Sequence, residues 1–227
     1  MAAVPDVIQR ASSGRAKCRG CGQAIAKGEL RFGESLANAY AEGEALYWFH
    51  LYCASAMRPE KLLPVLEQST ESIAERDELR HTAERGIAHP RLSRLSKAER
   101  APSGRAHCRC CRELIEKGEW RLSLQIFEES RFAPMGSIHL GCSEAYFGTA
   151  QILERIQRLT PGLGDDDVRS LVEGLAVQRP APPEAEAASD APATEADAPG
   201  LAKTRGEGAE TDASAGGTSV RAGGKSG

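Results

Sequence analysis

The stretch SGRAKCRGCGQAIAKGELR, residues 13–31, returns as SGRAHCRCCRELIEKGEWR, residues 103–121, with 12 of 19 positions identical. Downstream, His50 and Cys53 recur as His139 and Cys142, displaced by 89 residues rather than 90. Self-similarity at a fixed offset is the mark of one structural unit used twice. The chain therefore reads as two copies of a module of about 75 residues, an estimate that follows from the repeat itself.

Each copy carries four soft ligands at matched spacing. The first reads Cys18-x2-Cys21-x28-His50-x2-Cys53, the second Cys108-x2-Cys111-x27-His139-x2-Cys142. A Cys-x2-Cys turn presents two thiolates from one tight knuckle, and His-x2-Cys at a helix start supplies the other pair. Together they make a closed Cys3His shell, the arrangement of structural zinc, with no open position for a reacting water. Two structural Zn2+ ions are expected. Zinc binding by such short segments is worth roughly 10–16 kcal/mol, more than a small core supplies, so folding is expected to depend on the metal. Cys110 stands where the first copy has Gly20 and is not a required ligand. His81, His89 and His107 have no counterparts in the other copy and read as surface histidines.

Around these anchors, RFGESLA (31–37), ALYWFH (45–50) and WRLSLQIF (120–127) fit strands. Helix-compatible stretches follow each His-x2-Cys element: 59–69 and 71–85 in the first copy, 143–159 and 165–177 in the second. Asp165, Asp166 and Asp167 favour the start of the last helix through its dipole. The expected organisation is an N-terminal tail at 1–9, a first module at 10–85, a basic and partly extended linker at 86–102, a second module at 103–178, and a tail at 179–227. That tail is rich in Pro, Ala, Glu and Gly and lacks aromatics, so it is expected to be disordered.

Composition narrows the class further. Aromatic residues make up only 5% of the 227 residues, too few for one large core. No run of 18 apolar residues is present for a membrane span, and the N-terminus has no secretory pattern. Seven cysteines in such a chain point to metal rather than disulfides. The formal net charge is −3, yet the charge is uneven. Residues 10–31 hold six basic side chains and one acid, Glu29; residues 86–112 hold seven and one acid, Glu99. Such local positive fields suit a phosphate backbone.

The assembled pattern, SGRA-x-C-x2-C, then I-x-KGE-x-R, then WFH-x2-C in the first copy, resembles the zinc fingers of poly(ADP-ribose) polymerase, found also on a nick-joining DNA ligase. The resemblance extends over most of residues 10–178. It implies small zinc-stabilised α+β modules, two tandem fingers each with a short antiparallel sheet plus helices, that recognise DNA strand breaks by shape. Carried over by position, Arg15 and Arg105 match the arginine before the knuckle that meets phosphate, and Arg31 and Arg121 match a second arginine on the following strand. Tyr40, with Leu36 nearby, falls where the family places side chains against an open base stack; Phe132 and Met135 are the counterparts in the second copy. The second copy departs from the pattern at Ile138, where an aromatic precedes the histidine in the family. The plainer alternatives are solvated strand arginines at 31 and 121, loop packing for Tyr40, and core beside the metal for Trp48 and Phe49.

The expected function is non-catalytic binding of nicks, gaps or ends in duplex DNA, in damage response or repair, without sequence specificity. The competing reading is a zinc-finger adaptor whose tail recruits a repair-protein partner. An enzyme is rejected on sequence, since the modules and tail leave no segment for a catalytic domain. The Ala-, Gly- and Arg-heavy composition points to a bacterial cytoplasmic protein at the nucleoid, or a nuclear one in a eukaryote.

Overall fold

The computed structural model describes residues 4–38, 41–177 and 179. Two three-stranded antiparallel sheets form. One has the order β1 (Val7–Arg10), β2 (Leu30–Ala37), β3 (Glu44–His50); the other β4 (Leu95–Arg100), β5 (Trp120–Glu128), β6 (Arg131–His139). Strands β1 and β4 occupy segments expected to be tail and linker. Each is short and pairs with a strand some twenty residues away, so neither carries a strong local signal of its own. The expected boundaries shift accordingly: residues 95–100 belong to the second sheet, and Val7–Gln9 to the first.

Helices α1 (Leu51–Met57), α2 (Pro59–Gln68) and α3 (Arg76–Ala88) follow the first sheet. Pro59 opens α2, where its missing N–H costs nothing. After the second sheet come α4 (Ser143–Phe147), α5 (Leu153–Leu159) and α6 (Asp165–Ala176). Gly148, at φ 74°, breaks the stretch expected to be one helix, because only glycine enters the left-handed region without cost. The three aspartates do open α6, and Asp167 Oδ2 accepts the backbone N–H of Gly164 at 3.3 Å. Strands β5 and β6 join through Glu129 and Ser130, both at positive φ (48° and 62°), the backbone a two-residue hairpin needs to match strand twist.

Two apolar cores result. Phe32, Phe49, Ile25, Leu62 and Leu66 centre the first; Leu92, Leu122, Ile115, Ile138 and Ile152 centre the second. The modules are not beads on a linker but pack on each other. Phe132 of β6 sets its ring edge-on to Phe49, with centroids 6.3 Å apart. Arg58, bound to the fully buried Glu34 through Nε at 2.8 Å, lies 3.9 Å over the Phe127 ring. At the centre sits Arg155 of α5, only 5% exposed. Its Nη1 donates to the carbonyls of Ala56 (2.6 Å) and Leu92 (3.3 Å), and its Nη2 to Thr82 (3.1 Å). Burial lowers its pKa to about 10, which still leaves the charge in place at neutral pH. Arg158 adds contacts to Glu78 and Glu75 of the first module and lies 5.0 Å over Tyr52.

Arg155→Leu strands these carbonyls in an apolar junction. The expected cost is about 3 kcal/mol, with unfolding split into two transitions. The two tryptophans, one per module (Trp48 and Trp120), report each transition by fluorescence during denaturant titration.

Candidate metal centres and nucleic-acid interface

Each knuckle is built by short backbone bonds. Cys18 N donates to Gln23 O at 2.8 Å and Gly22 N to Cys18 O at 2.8 Å; Cys108 N donates to Glu113 O at 2.8 Å and Arg112 N to Cys108 O at 2.9 Å. The position after the second cysteine is left-handed in both, at φ 74° for Gly22 and 66° for Arg112. The knuckle is then tied to the third strand: Arg19 N reaches Trp48 O (2.8 Å) and Arg109 N reaches Ser137 O (2.9 Å). Helix α1, or a short 3-10 turn in the second module, begins directly after the histidine and carries the last cysteine under the knuckle. Gly20 lets the helix pass close there: a β-carbon would lie 2.8 Å from Met57 Sδ and 3.1 Å from Cys53 Cβ, and the methionine side chain would have to move.

The outcome is two matched clusters, Cys18, Cys21, His50, Cys53 and Cys108, Cys111, His139, Cys142, with the ligand atoms of each within 4.8 Å of one another. His50 Nδ1 lies 3.3 Å from Cys21 Sγ and 3.9 Å from Cys53 Sγ; His139 Nδ1 repeats this at 3.3 Å and 3.9 Å from Cys111 and Cys142. Ligands about 2.0–2.3 Å from one tetrahedral ion are themselves about 3.3–3.8 Å apart, so the donor sets fit zinc. The two Cys3His sites thus fit two zinc ions. The recurrent KGE element explains itself here. Gly28 and Gly118 turn at φ 83°, and Glu29 and Glu119 hold that turn by accepting the N–H of Ala26 (2.9 Å) and Glu116 (3.1 Å). The same carboxylates lie 3.7 and 3.8 Å from the outer histidine nitrogens, which face the carbonyls of Ala24 (3.3 Å) and Leu114 (3.1 Å). An Nε2–H directed at a carbonyl leaves Nδ1 unprotonated toward the thiolates.

Hydrogen bonds from Cys18 and Cys53 hold Cys21 far below the usual thiol range, and a bond from Cys142 lowers Cys108 to about 4. Among the described residues, Cys110 joins neither cluster, and neither do His81, His89 or His107.

The arginines fare differently. Arg15 and Arg105 are exposed in the turn before each knuckle. Arg31 is 7% exposed, and its guanidinium carbon lies 3.5 Å from the centroid of the Trp48 ring. Trp48 lies flat over Gly33, whose absent β-carbon would meet the indole at 2.6 Å. Arg31 Nε is buried with no hydrogen-bond partner, the one such side-chain atom among the described residues. Trp48 is thus the half-buried platform of an arginine, whereas Phe49 is core as expected. Arg121 takes the place of Arg31 in the second sheet but is bound by Glu99.

Arg121, Phe132 and Met135 line one concavity of about 570 Å3 with His107 and Arg109. Base stacking by the last two of the sequence-predicted set is corrected. Met135 is the extra residue of a bulge opposite Leu124 and is turned inward, 2% exposed. Phe132 spends its ring on Phe127 and Phe49. Leu36 is half-buried on β2, and Tyr40 lies outside the described residues. Sequence reasoning passed over Arg19, stacked 4.4 Å from the Tyr47 ring, and its counterpart Arg109; their recurrence after the first cysteine of each copy was the signal.

Residues 9–89 match the family model described as the poly(ADP-ribose) polymerase and DNA-ligase Zn-finger region. The chain is 31% identical over 135 residues to poly [ADP-ribose] polymerase 1 of Gallus gallus, covering 52% of this chain and 13% of that protein. It is 27% identical over 142 residues to poly [ADP-ribose] polymerase of Sarcophaga peregrina, covering 55% and 14%, and 27% over 139 residues to that of Drosophila melanogaster, covering the same shares. The matched stretch is thus about one-seventh of these relatives. No helix of the described residues is long and apolar enough to cross a membrane.

Acid is expected to strip the ions, because protons compete for three thiolates and an imidazole; log affinity falls by about one per proton displaced and pH unit. The first ion leaves first. The His50 side chain is 19% exposed and that of His139 1%, and Arg179 closes over the second site through Gly141, Glu113 and Glu119. A pH-stepped release assay with a chromogenic chelator, assigned by histidine NMR, checks both the sign and the order. Separately, Arg112→Gly relieves a left-handed arginine and is expected to raise the stability of the second module by about 0.5–1 kcal/mol in a thermal melt.

Proposed function

We propose that the two modules, the first of which matches the poly(ADP-ribose) polymerase and DNA-ligase Zn-finger region and the second of which repeats its ligands and sheet, bind DNA at strand breaks in the course of damage repair. The observation that carries this reading is Arg31. An arginine stacked on an indole, with its Nε buried and unpartnered and no carboxylate beside it, is costly to keep. An external phosphate oxygen is the partner its charge and geometry suit. Exposed Arg15 and Arg105, beside the knuckles, add phosphate contacts of the same kind.

Discrimination in favour of a break comes from the bases. A nick or end exposes an aromatic face that closed duplex keeps stacked, and a side chain laid on it gains roughly 1–3 kcal/mol. Tyr40 is the proposed stacking residue. The modules pack on each other, so their relative placement is fixed on folding and not at the moment of binding. The role is non-catalytic: four protein ligands fill each metal shell and leave no coordination position for a reacting water. Residues beyond 179 are the proposed recruiting element for a repair partner, and a nucleoid or nuclear site of action follows from the substrate.

Binding to nicked, blunt-ended and covalently closed duplexes across a salt series tests the proposal. Nicked DNA is expected to bind at least tenfold tighter than closed DNA. Arg31→Ala is expected to weaken nick binding about tenfold or more and flatten the salt slope by about one. Equal affinity for closed and broken duplex would refute break recognition.

A further inference from the structure

The two modules differ by one charge on the face that this reading assigns to phosphate. In the first sheet Arg31 lies directly opposite Gln9 of β1; in the second, Arg121 lies directly opposite Glu99 of β4. Glu99 Oε1 accepts Arg121 Nε at 3.1 Å and Nη2 at 2.6 Å, and the Ser123 hydroxyl at 2.8 Å. Its other oxygen lies 2.7 Å from Lys97 Nζ. Burial works against the Glu99 charge, but the bonds from Lys97, Ser123 and Arg121 outweigh it and push the carboxyl down to about 2. One carboxylate, ionised at any physiological pH, therefore occupies two cations. It is also the lone acid in the basic stretch from residue 86 to 112.

The surroundings differ in the same direction. Where the first sheet has Gly33 and Trp48, the second has Ser123 and Ser137. No indole fills the face, and the concavity of about 570 Å3 lined by Arg109, Arg121, Ser123 and Ser137 remains open. Arg31 is thus stacked and without a carboxylate, whereas Arg121 stands in an open hollow with its Nε and Nη2 bound to Glu99.

We propose that Glu99 is a built-in counter-charge that silences Arg121 and Lys97 toward an external phosphate, leaving the first module to carry most of the affinity for DNA. The proposal rests on the nucleic-acid reading above. An arriving phosphate must either displace the carboxylate from Arg121 or sit against a like charge, and both routes cancel most of what the arginine would contribute. The position of this one acid sets the balance between the modules, and moving it should move the balance.

The test uses the full-length, zinc-loaded protein and nicked duplex over a salt series. Glu99→Gln keeps the shape and the Ser123 hydrogen bond while removing the charge; affinity is expected to rise about five- to tenfold, and the salt slope to steepen by about one. Arg121→Ala alone is expected to change affinity less than about twofold, and to abolish the gain in the Glu99→Gln background. The reciprocal change, Gln9→Glu on the exposed edge strand, sets a carboxylate opposite Arg31 and is expected to weaken binding about tenfold. It carries the test alone should Glu99→Gln lose zinc. Wild-type binding that neither Glu99→Gln nor Gln9→Glu alters, or an Arg121→Ala loss as large as that of Arg31→Ala, overturns the proposal and leaves DNA binding standing. Absence of binding by every variant overturns both.

Discussion

Three sulfurs and one imidazole converge in each module where knuckle, sheet and helix meet. The knuckle arrives from the turn after Arg15 or Arg105, the histidine from the end of the third strand, and the last cysteine from the first helical turn. None of these segments is long, and aromatic residues are few. Binding energy on the scale of a structural zinc ion is what makes such short pieces behave as one domain. The sheet's position under the knuckle, and so the direction of every arginine on it, depends on that convergence.

From the metal outward, the two copies share their scaffold and diverge in what they do with it. The glycine turn and the glutamate behind the histidine recur because they orient a ligand. The face beyond is free to vary. In the first copy, glycine opposite tryptophan makes a flat aromatic seat for an arginine; in the second, two serines leave a hollow and a glutamate binds the arginine instead. The two copies place their charges at matched positions, and the cross-strand neighbours differ. The junction shows the same economy: Tyr52, two residues after the first histidine, receives Arg158, whereas the corresponding Gly141 receives the chain at Val177 and Arg179.

All eight metal ligands were legible in the bare chain, because ligand spacing and duplication are local and repeated signals. So were β2, β3 and β5, the acidic start of α6, and the exclusion of Cys110. The readings that failed depended on distant partners. Strands β1 and β4 exist only because β2 and β5 offer an edge to them. Met135 reads as an exposed loop residue until a bulge turns it inward, and Phe132 reads as a stacking residue until the first module packs on it.

The amino-acid order by itself determined that this protein is a duplicated Cys3His zinc module with arginines placed beside each knuckle. Ligand chemistry acts over a few ångströms and a few residues, so spacing suffices to reveal it. Only the tertiary structure decided which of those arginines keeps its charge available. That outcome turns on whether the cross-strand neighbour is Gln9 or Glu99, and on whether Trp48 or Ser137 covers the face. Those pairings are set by sheet register between segments some twenty residues apart, where an electrostatic contact leaves no trace in the linear pattern.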